Sequence, residues 1–271
     1  MLQAAVSAAG PPWRDVDVFP DVDSTNAEAA RRPRAWRVVC ADHQSHGRGR
    51  LARRWEAPAA ASIAVSVVLP ADGSEPSMQG WLPLLNGMAM AQAVRDLTGQ
   101  KVGLKWPNDL MLHRARGGRR EWRKVGGVLC EISAAGDAAG RLVVAGVGLN
   151  VDQSAAELPV ESATSLALSG AGPVSREELV AGYLARLARL HGAWSDGGEP
   201  LDTLRVRYRQ LCLTLGQQVR LHRSDATVDV GRACAVDDTG RLVLETAAGR
   251  VAHSAGDVVH LRPAPLEPAT P

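Results

Sequence analysis

Apolar positions along the chain fall into runs separated by turn residues, and the period within each run predicts an element. Residues 13–22 (WRDVDVFPDV) read as an entering strand, stopped near Pro20. Thr25 and Glu28 have the T-x-x-E spacing of a capping box, so a helix is expected to begin at Asp23–Thr25 and continue through the alanines that follow. Residues 36–42 (WRVVCAD) predict a buried strand, 43–55 (HQSHGRGRLARRW) a loop, and 61–69 (ASIAVSVVL) a strong strand ending at Pro70. An apolar, mostly buried helix is expected over 78–98, closed by Gly99. Residues 101–106 and 125–132 look like a pair of strands, with 113–124 (HRARGGRREWRK) as a flexible hairpin loop between them. Residues 141–151 (RLVVAGVGLNV) predict a central strand, 175–195 a long amphipathic helix starting at Ser175, and 200–211 another helix.

The texture changes at Gly216. From there to Arg262 the chain reads as about five short strands (QVRLH, TVDVGRACAVD, RLVLET, RVAHS, VVHLR) with turn signals such as Asp238-Thr239-Gly240 between them. This pattern suggests a small β-barrel appended to a larger domain. The expected organisation is a disordered tail over 1–12, a main domain over 13–214, a small domain over 215–262 and a second tail over 263–271.

Charge changes the picture little. The 31 basic and 29 acidic residues leave a net charge of +2, which makes no general case for nucleic-acid or membrane binding. No apolar stretch approaches the ~20 residues needed to span a bilayer, and no basic segment followed by an apolar run marks a signal peptide. A cytoplasmic protein is expected. Cys40, Cys130, Cys212 and Cys234 are far apart in sequence and form no CxxC pair, so they read as buried reduced thiols. Composition matters more. The chain holds only three lysines (Lys101, Lys105, Lys124) and four asparagines (Asn26, Asn86, Asn108, Asn150) against abundant arginine and alanine. A lysine or asparagine kept against that bias is a candidate for chemistry that arginine or aspartate cannot do.

Two of the three lysines and three of the four asparagines fall in short motifs. GRGR (47–50) combines glycines, which let the backbone approach a ligand, with Arg48 and Arg50, which bring positive charge. It suits a phosphate or carboxylate, but matches neither a Walker loop nor the dinucleotide fingerprint. KWPND (105–109) puts a lysine, an amide and a carboxylate within five residues. In KVGGVLCEI (124–132), Lys124 precedes two glycines and a strand, and in GVGLN (146–150) an apolar strand ends in an amide. Each has a bland structural reading when taken alone. His43 and His46, in HxxH spacing, read as loop histidines beside the site, not metal ligands.

DSTN (23–26), HQSHGRGR (43–50), Trp55, KWPND, KVGGVL and GVGLN occur in an order and spacing that resemble the bacterial biotin protein ligases. The resemblance covers residues 13–262. It departs from the family where Ala52 stands at an expected glycine of the loop, and where the basic insert 113–123 is longer than the usual turn.

The resemblance implies an α+β fold shared with lipoate ligases and class II aminoacyl-tRNA synthetases: a mixed sheet with flanking helices, then an SH3-like barrel. It implies ATP-dependent activation of biotin to biotinyl-5'-AMP and transfer to a lysine of a biotin carboxyl carrier domain of carboxylases. Ser24, Thr25, Asn26, Gln44, Gly47, Arg48, Arg50, Lys124, Gly127, Gly146 and Gly148 would bind biotin. Arg50, Arg53, Trp55, Lys105, Asn108 and Asn150 would hold the adenylate. Lys124, Arg48 and Lys105 would be catalytic. Mg2+ would come mainly with ATP, with Asp109 a candidate ligand. Two roles stay open for Asp109: a place near Mg2+, or orienting Lys105 or an arginine.

One rival reading is a lipoate or octanoate ligase or transferase on the same fold. A nucleic-acid-binding regulator is a second, but only 22 residues precede Asp23, too few for a helix-turn-helix domain of ~60 residues. Neither DNA nor membrane is an expected partner. The basic insert reads as a solvated loop or as a docking edge for an acidic acceptor domain.

Overall fold

The computed structural model describes residues 6, 9–71, 79–116, 119–133, 141–195 and 201–261. Its larger sheet has seven strands: β1 (Arg14–Val22), β2 (Arg37–Gln44), β3 (Ser62–Pro70), β4 (Val102–Lys105), β5 (Asp109–Arg116), β6 (Arg119–Ile132) and β7 (Leu142–Asn150). They lie in the order β1-β2-β3-β7-β6-β5-β4; β1 and β2 are parallel and the remaining pairs antiparallel. The helices are α1 (Thr25–Arg31), α2 (Trp81–Thr98), α3 (Arg176–Ser195) and α4 (Leu201–Leu211).

Side chains alternate along β3, β7 and β6, and the alternation gives the sheet two unlike faces. One carries Ile63, Val65 and Val67 of β3, Val143, Ala145, Val147 and Leu149 of β7, and Val128 of β6. These pack in one core with Leu82, Leu85 and Met88 of α2 and with Leu184 and Leu187 of α3. The other face carries Ser62, Ala64 and Ser66 of β3, opposite Asn150, Gly148 and Gly146 of β7, with Gly127, Leu129 and Glu131 of β6 beyond. Among the described residues a small apolar cluster, with Ala29 of α1 against Val39, Val68, Leu142 and Val144, covers part of this second face. The rest of it is left free for the site.

A second sheet holds β8 (Gln218–His222), β9 (Val228–Val236), β10 (Leu242–Thr246), β11 (Gly249–His253) and β12 (Asp257–His260), antiparallel, in the order β11-β10-β9-β8-β12. Its buried Val219, Leu221, Leu242, Leu244 and Val258 join the main core. Two indoles, one at the start of α2 and one in the turn between β4 and β5, fasten it to the rest of the molecule: Trp81 Nε1 donates to the Asp238 carbonyl at 2.9 Å and Trp106 Nε1 to the Gly240 carbonyl at 3.2 Å. Asp237 shapes that turn, with Oδ1 accepting from the backbone N–H groups of Thr239 and Arg241.

Several expectations need correction. β1 runs through Pro20 to Val22, because a strand paired on one side only can spare the missing N–H. Ser24, not Thr25, caps α1; Glu28 turns instead to Arg31 and Arg37. Residues 101–106 do not pair with 125–132. β4 pairs with β5, and β5 with β6, so KWPND is itself the tight turn between β4 and β5. The stretch 113–124 is mostly ladder, with His113 opposite Trp122 and Leu112 opposite Arg123; residues 117–118 lie outside the described residues. Its polar sequence carries no apolar alternation, yet it pairs along the ladder, with Trp122 exposed and Arg123 partly buried against Glu121. Within the expected tail 1–12, Val6 is buried against the main core. The expected tail 263–271 lies outside the described residues. No described helix is long and apolar enough to cross a membrane.

Candidate functional site

A cavity of about 650 Å3 opens on the sparsely covered face, between β6 and β7, the 48–56 loop, residues 159–163 and the start of β12. Ser24, Thr25, Asn26 and Gln44 line one end; Arg48, Arg50, Arg53 and Trp55 come from the loop. Lys105, Asn108, Asp109 and Lys124 come from the hairpin strands, and Gly127, Gly146, Gly148 and Asn150 from the sheet. The structure thus brings together residues spread over about 130 positions. Gly47 is the exception: it borders a second cavity behind the loop.

The polar end is built from α1 and its neighbours. Ser24, Thr25 and Asn26 are buried. Gln44 Oε1 accepts from Thr25 N at 2.8 Å and from Thr25 Oγ1 at 3.1 Å. Ser66 Oγ lies 2.6 Å from Asn26 Oδ1 and 2.7 Å from Thr25 Oγ1, and its single proton serves one of them at a time. Asn26 Nδ2 donates to Glu131 Oε2 at 2.7 Å and to the Leu129 carbonyl at 3.1 Å. Gly146 is required here, since a Cβ would stand 2.1 Å from Asn26 Oδ1. Such a cluster of donors and acceptors can read a small planar polar group.

Lys124 and Asp109 form an ion pair at 2.6 Å in the middle of the cavity wall, the lysine 37% exposed. The ion-pair partner of Asp109 is thus Lys124, a residue that neither of its two expected roles named. Arg50 Nη1 reaches Asn108 Oδ1 at 3.5 Å, and Asn108 Nδ2 donates to the Val128 carbonyl at 2.9 Å. Burial pulls the Arg50 pKa down, opposed by Asp109 and Asp257; a guanidinium still keeps its charge. Arg53 pairs with Asp257 at 2.5 Å, which ties the glycine loop to β12. Burial works against ionisation of Asp257, but the Arg53 hydrogen bond and the charges of Arg53, Lys105 and Arg50 outweigh it, so its pKa is lowered.

Three expected residues are engaged in ways the sequence does not announce. Arg48 pairs with Glu131 at 3.0 Å, on the flank of the loop. The Trp55 ring packs on Gly148, where a Cβ would be 2.4 Å from it, and its buried Nε1 has no hydrogen-bond partner among the described residues. Asn150 donates to the Thr164 carbonyl at 2.9 Å and accepts from Gln153 at 3.0 Å, so its amide shapes the turn after β7. A left-handed residue of the loop is Leu51 (φ 55°), one position before Ala52. Sequence reasoning misses Ser66 and Glu131. The signal for Ser66 is a polar residue in an apolar strand; for Glu131 it is the same period-2 face as Gly127.

The cavity therefore has a polar end, a lysine and arginines along its wall, and the glycine loop at its side, an arrangement suited to a ligand with a polar head and an anionic group farther along. Residues 18–150 match the Biotin/lipoate A/B protein ligase family, and residues 214–261 match the biotin protein ligase C-terminal domain. The biotin–[acetyl-CoA-carboxylase] ligase of Mycobacterium tuberculosis is 36% identical over 96% of this chain and 94% of its own. The bifunctional ligase/repressor BirA of Escherichia coli is 30% identical over 85% of this chain and 69% of its own. The biotin protein ligase of Aquifex aeolicus, solved with biotin and ATP, superposes with a TM-score of 0.75 at 25% identity, covering 93% of this chain and 100% of that one. The chain belongs to the biotin protein ligase family.

Proposed function

We propose that this protein joins biotin to AMP with ATP, then transfers the biotinyl group to one lysine of a carboxylase's biotin carboxyl carrier domain. The relatives named above support the activity, and the acetyl-CoA-carboxylase ligase name of one supports the acceptor. The match of the C-terminal segment to biotin ligases favours biotin over lipoate or octanoate. Residues 13–214 act as the catalytic unit and 215–262 as the small one that closes it. Four cysteines, all free, suit the reducing cytoplasm.

The observation that carries the reading is the Lys124–Asp109 pair facing the glycine strip of β6 and β7 inside the cavity. A carboxylate must attack an already anionic α-phosphate, and two like charges at ~4 Å repel by about 4 kcal/mol at an effective dielectric of 20. Lys124, held at the wall by Asp109, offsets that repulsion with Arg50 and Lys105. The ureido ring of biotin then occupies the Ser24–Gln44 end, and the adenylate lies toward Arg53, Trp55 and Asn108. The loop, latched by Arg53 to Asp257, keeps water from the mixed anhydride. Mg2+ carried on the triphosphate would lower its charge. Asp109, with Oδ1 held by Lys124, offers that ion a single carboxylate at most, which suits a metal carried on phosphates.

Incubation with ATP, Mg2+ and biotin, followed by mass spectrometry, should give biotinyl-adenylate; addition of a carrier domain should then give one biotinylated lysine. Adenylation of lipoate in place of biotin would overturn the reading.

A further inference from the structure

Glu131 has no part in the chemistry described so far, yet one of its oxygens gathers two functional side chains. Oε2 accepts from Asn26 Nδ2 at 2.7 Å and from Arg48 Nη2 at 3.0 Å. Asn26 is buried among the residues of the polar end, whereas Arg48 stands on the glycine loop with 47% of its side chain exposed. From Asn26 the hydrogen bonds continue through Ser66 to Thr25 and Gln44. An unbroken chain, Arg48–Glu131–Asn26–Ser66–Thr25–Gln44, thus joins the loop to the far end of the cavity. Its middle is poised to change, because the one Ser66 proton has two acceptors.

Glu131 lies at the end of β6, opposite Val144 and on the same face as Gly127 and Leu129, so the strand fixes where its side chain leaves the backbone. A bare surface carboxylate would do nothing for a loop. This one is held by a buried amide, which gives Arg48 a fixed partner at the root of the loop. A ligand that takes up a hydrogen-bonding position at Thr25 or Gln44 alters where the Ser66 proton goes, and with it the amide that holds Glu131. Cooperative hydrogen-bond chains transmit such changes because each bond polarises the next.

We propose that Glu131 is a positioning residue whose carboxylate holds Asn26 and Arg48 together and couples occupancy of the Thr25–Gln44 end to the order of the glycine loop. This rests on biotin being the ligand of that end. Hydrogen exchange of residues 47–50 is the readout, measured on the full chain with and without biotin and without ATP. In the wild type, biotin should slow exchange in this segment. Glu131→Gln keeps the shape and an acceptor for Asn26 but loses the charge that anchors Arg48. It should quicken exchange of 47–50 in the free protein by about two- to fivefold, the usual worth of an exposed pair, and abolish the biotin-dependent slowing while biotin still binds. Glu131→Ala also deprives the Asn26 amide of a partner and should weaken biotin binding roughly tenfold; Glu131→Asp should restore part of it.

A merely structural glutamate would lower the melting temperature without uncoupling the loop from biotin. Wild-type loop behaviour in Glu131→Gln, free and bound, would overturn the proposal. If the wild type fails to bind biotin, the functional reading falls instead, and the free-state exchange of Glu131→Gln still decides whether Glu131 anchors Arg48.

Discussion

The two faces of the central sheet are made by the same strands from adjacent residues, yet they are built to opposite rules. On one, Ile63, Val65 and Val67 meet the leucines and methionines of α2, and burial of apolar area holds the fold together. On the other, Ser66, Gly146 and Gly148 leave so little side chain that the space is taken by Asn26 and Trp55, or left open. A strand buried on both faces ordinarily reads as a continuous apolar run. Here β7 reads LVVAGVGLN, and its glycines mark the places where backbone is kept bare for a ligand. Stability is placed on one face and recognition on the other.

Substitutions can sharpen that division. Leu85→Ala, in α2 against the core face, should cost about 2–5 kcal/mol of unfolding free energy while adenylation per folded molecule stays near wild type; denaturant titration beside active-site titration reads both. Lys124→Ala should do the reverse: a roughly hundred- to thousandfold slower single-turnover adenylation, with the melting temperature nearly unchanged, and Lys124→Arg should recover only part. Near-normal adenylation by folded Lys124→Ala would remove Lys124 from the mechanism and leave Lys105 as the next candidate. Gly148→Ala puts a methyl group against the Trp55 ring. The ring is only half-buried and can swing away, so the cost should be about 1 kcal/mol, seen as roughly fivefold weaker nucleotide binding in calorimetry with the fold retained.

The smallest effect should come from the Arg53–Asp257 latch. Both side chains meet water, so screening holds the pair to about 0.2–1 kcal/mol, and Asp257→Asn should quicken exchange of the 48–54 backbone by no more than about fivefold. The folded-state pKa of Asp257 is lowered from 3.8, so the latch is present above that value and is lost as the pH falls through the lowered pKa. Loop exchange corrected for intrinsic rate should therefore be flat from neutral pH down to about 4 and rise only below it. A rise beginning near pH 6 would assign the loop's closure to a different group.

Much of this division is legible in the residues alone. The apolar runs locate β2, β3, β7 and the long helices, because alternation and 3.6-residue periodicity are local properties of the chain. Rare lysines and asparagines, with the glycines around them, mark Lys105, Asn108, Lys124 and Asn150, and all four line the cavity. Pairing is harder to read. The partners of β4, β5 and β6 differ from those expected because the polar sequence 113–124 carries no hydrophobic alternation to say it is paired. Ser24 and Thr25 are both competent caps, and only the observed geometry chooses between them.

The sequence by itself determined which residues could do chemistry and the order in which they occur, since residue type and spacing carry that information directly. The tertiary structure alone decided their partners. Asp109 meets Lys124 because β5 and β6 pair across a bulge; Arg48 meets Glu131 because the loop folds back over the end of β6; Trp106 anchors the KWPND turn because its indole reaches a carbonyl 134 residues away. Each of those contacts depends on closing a long loop in one register, and the stability that selects that register comes from the whole core on the opposite face.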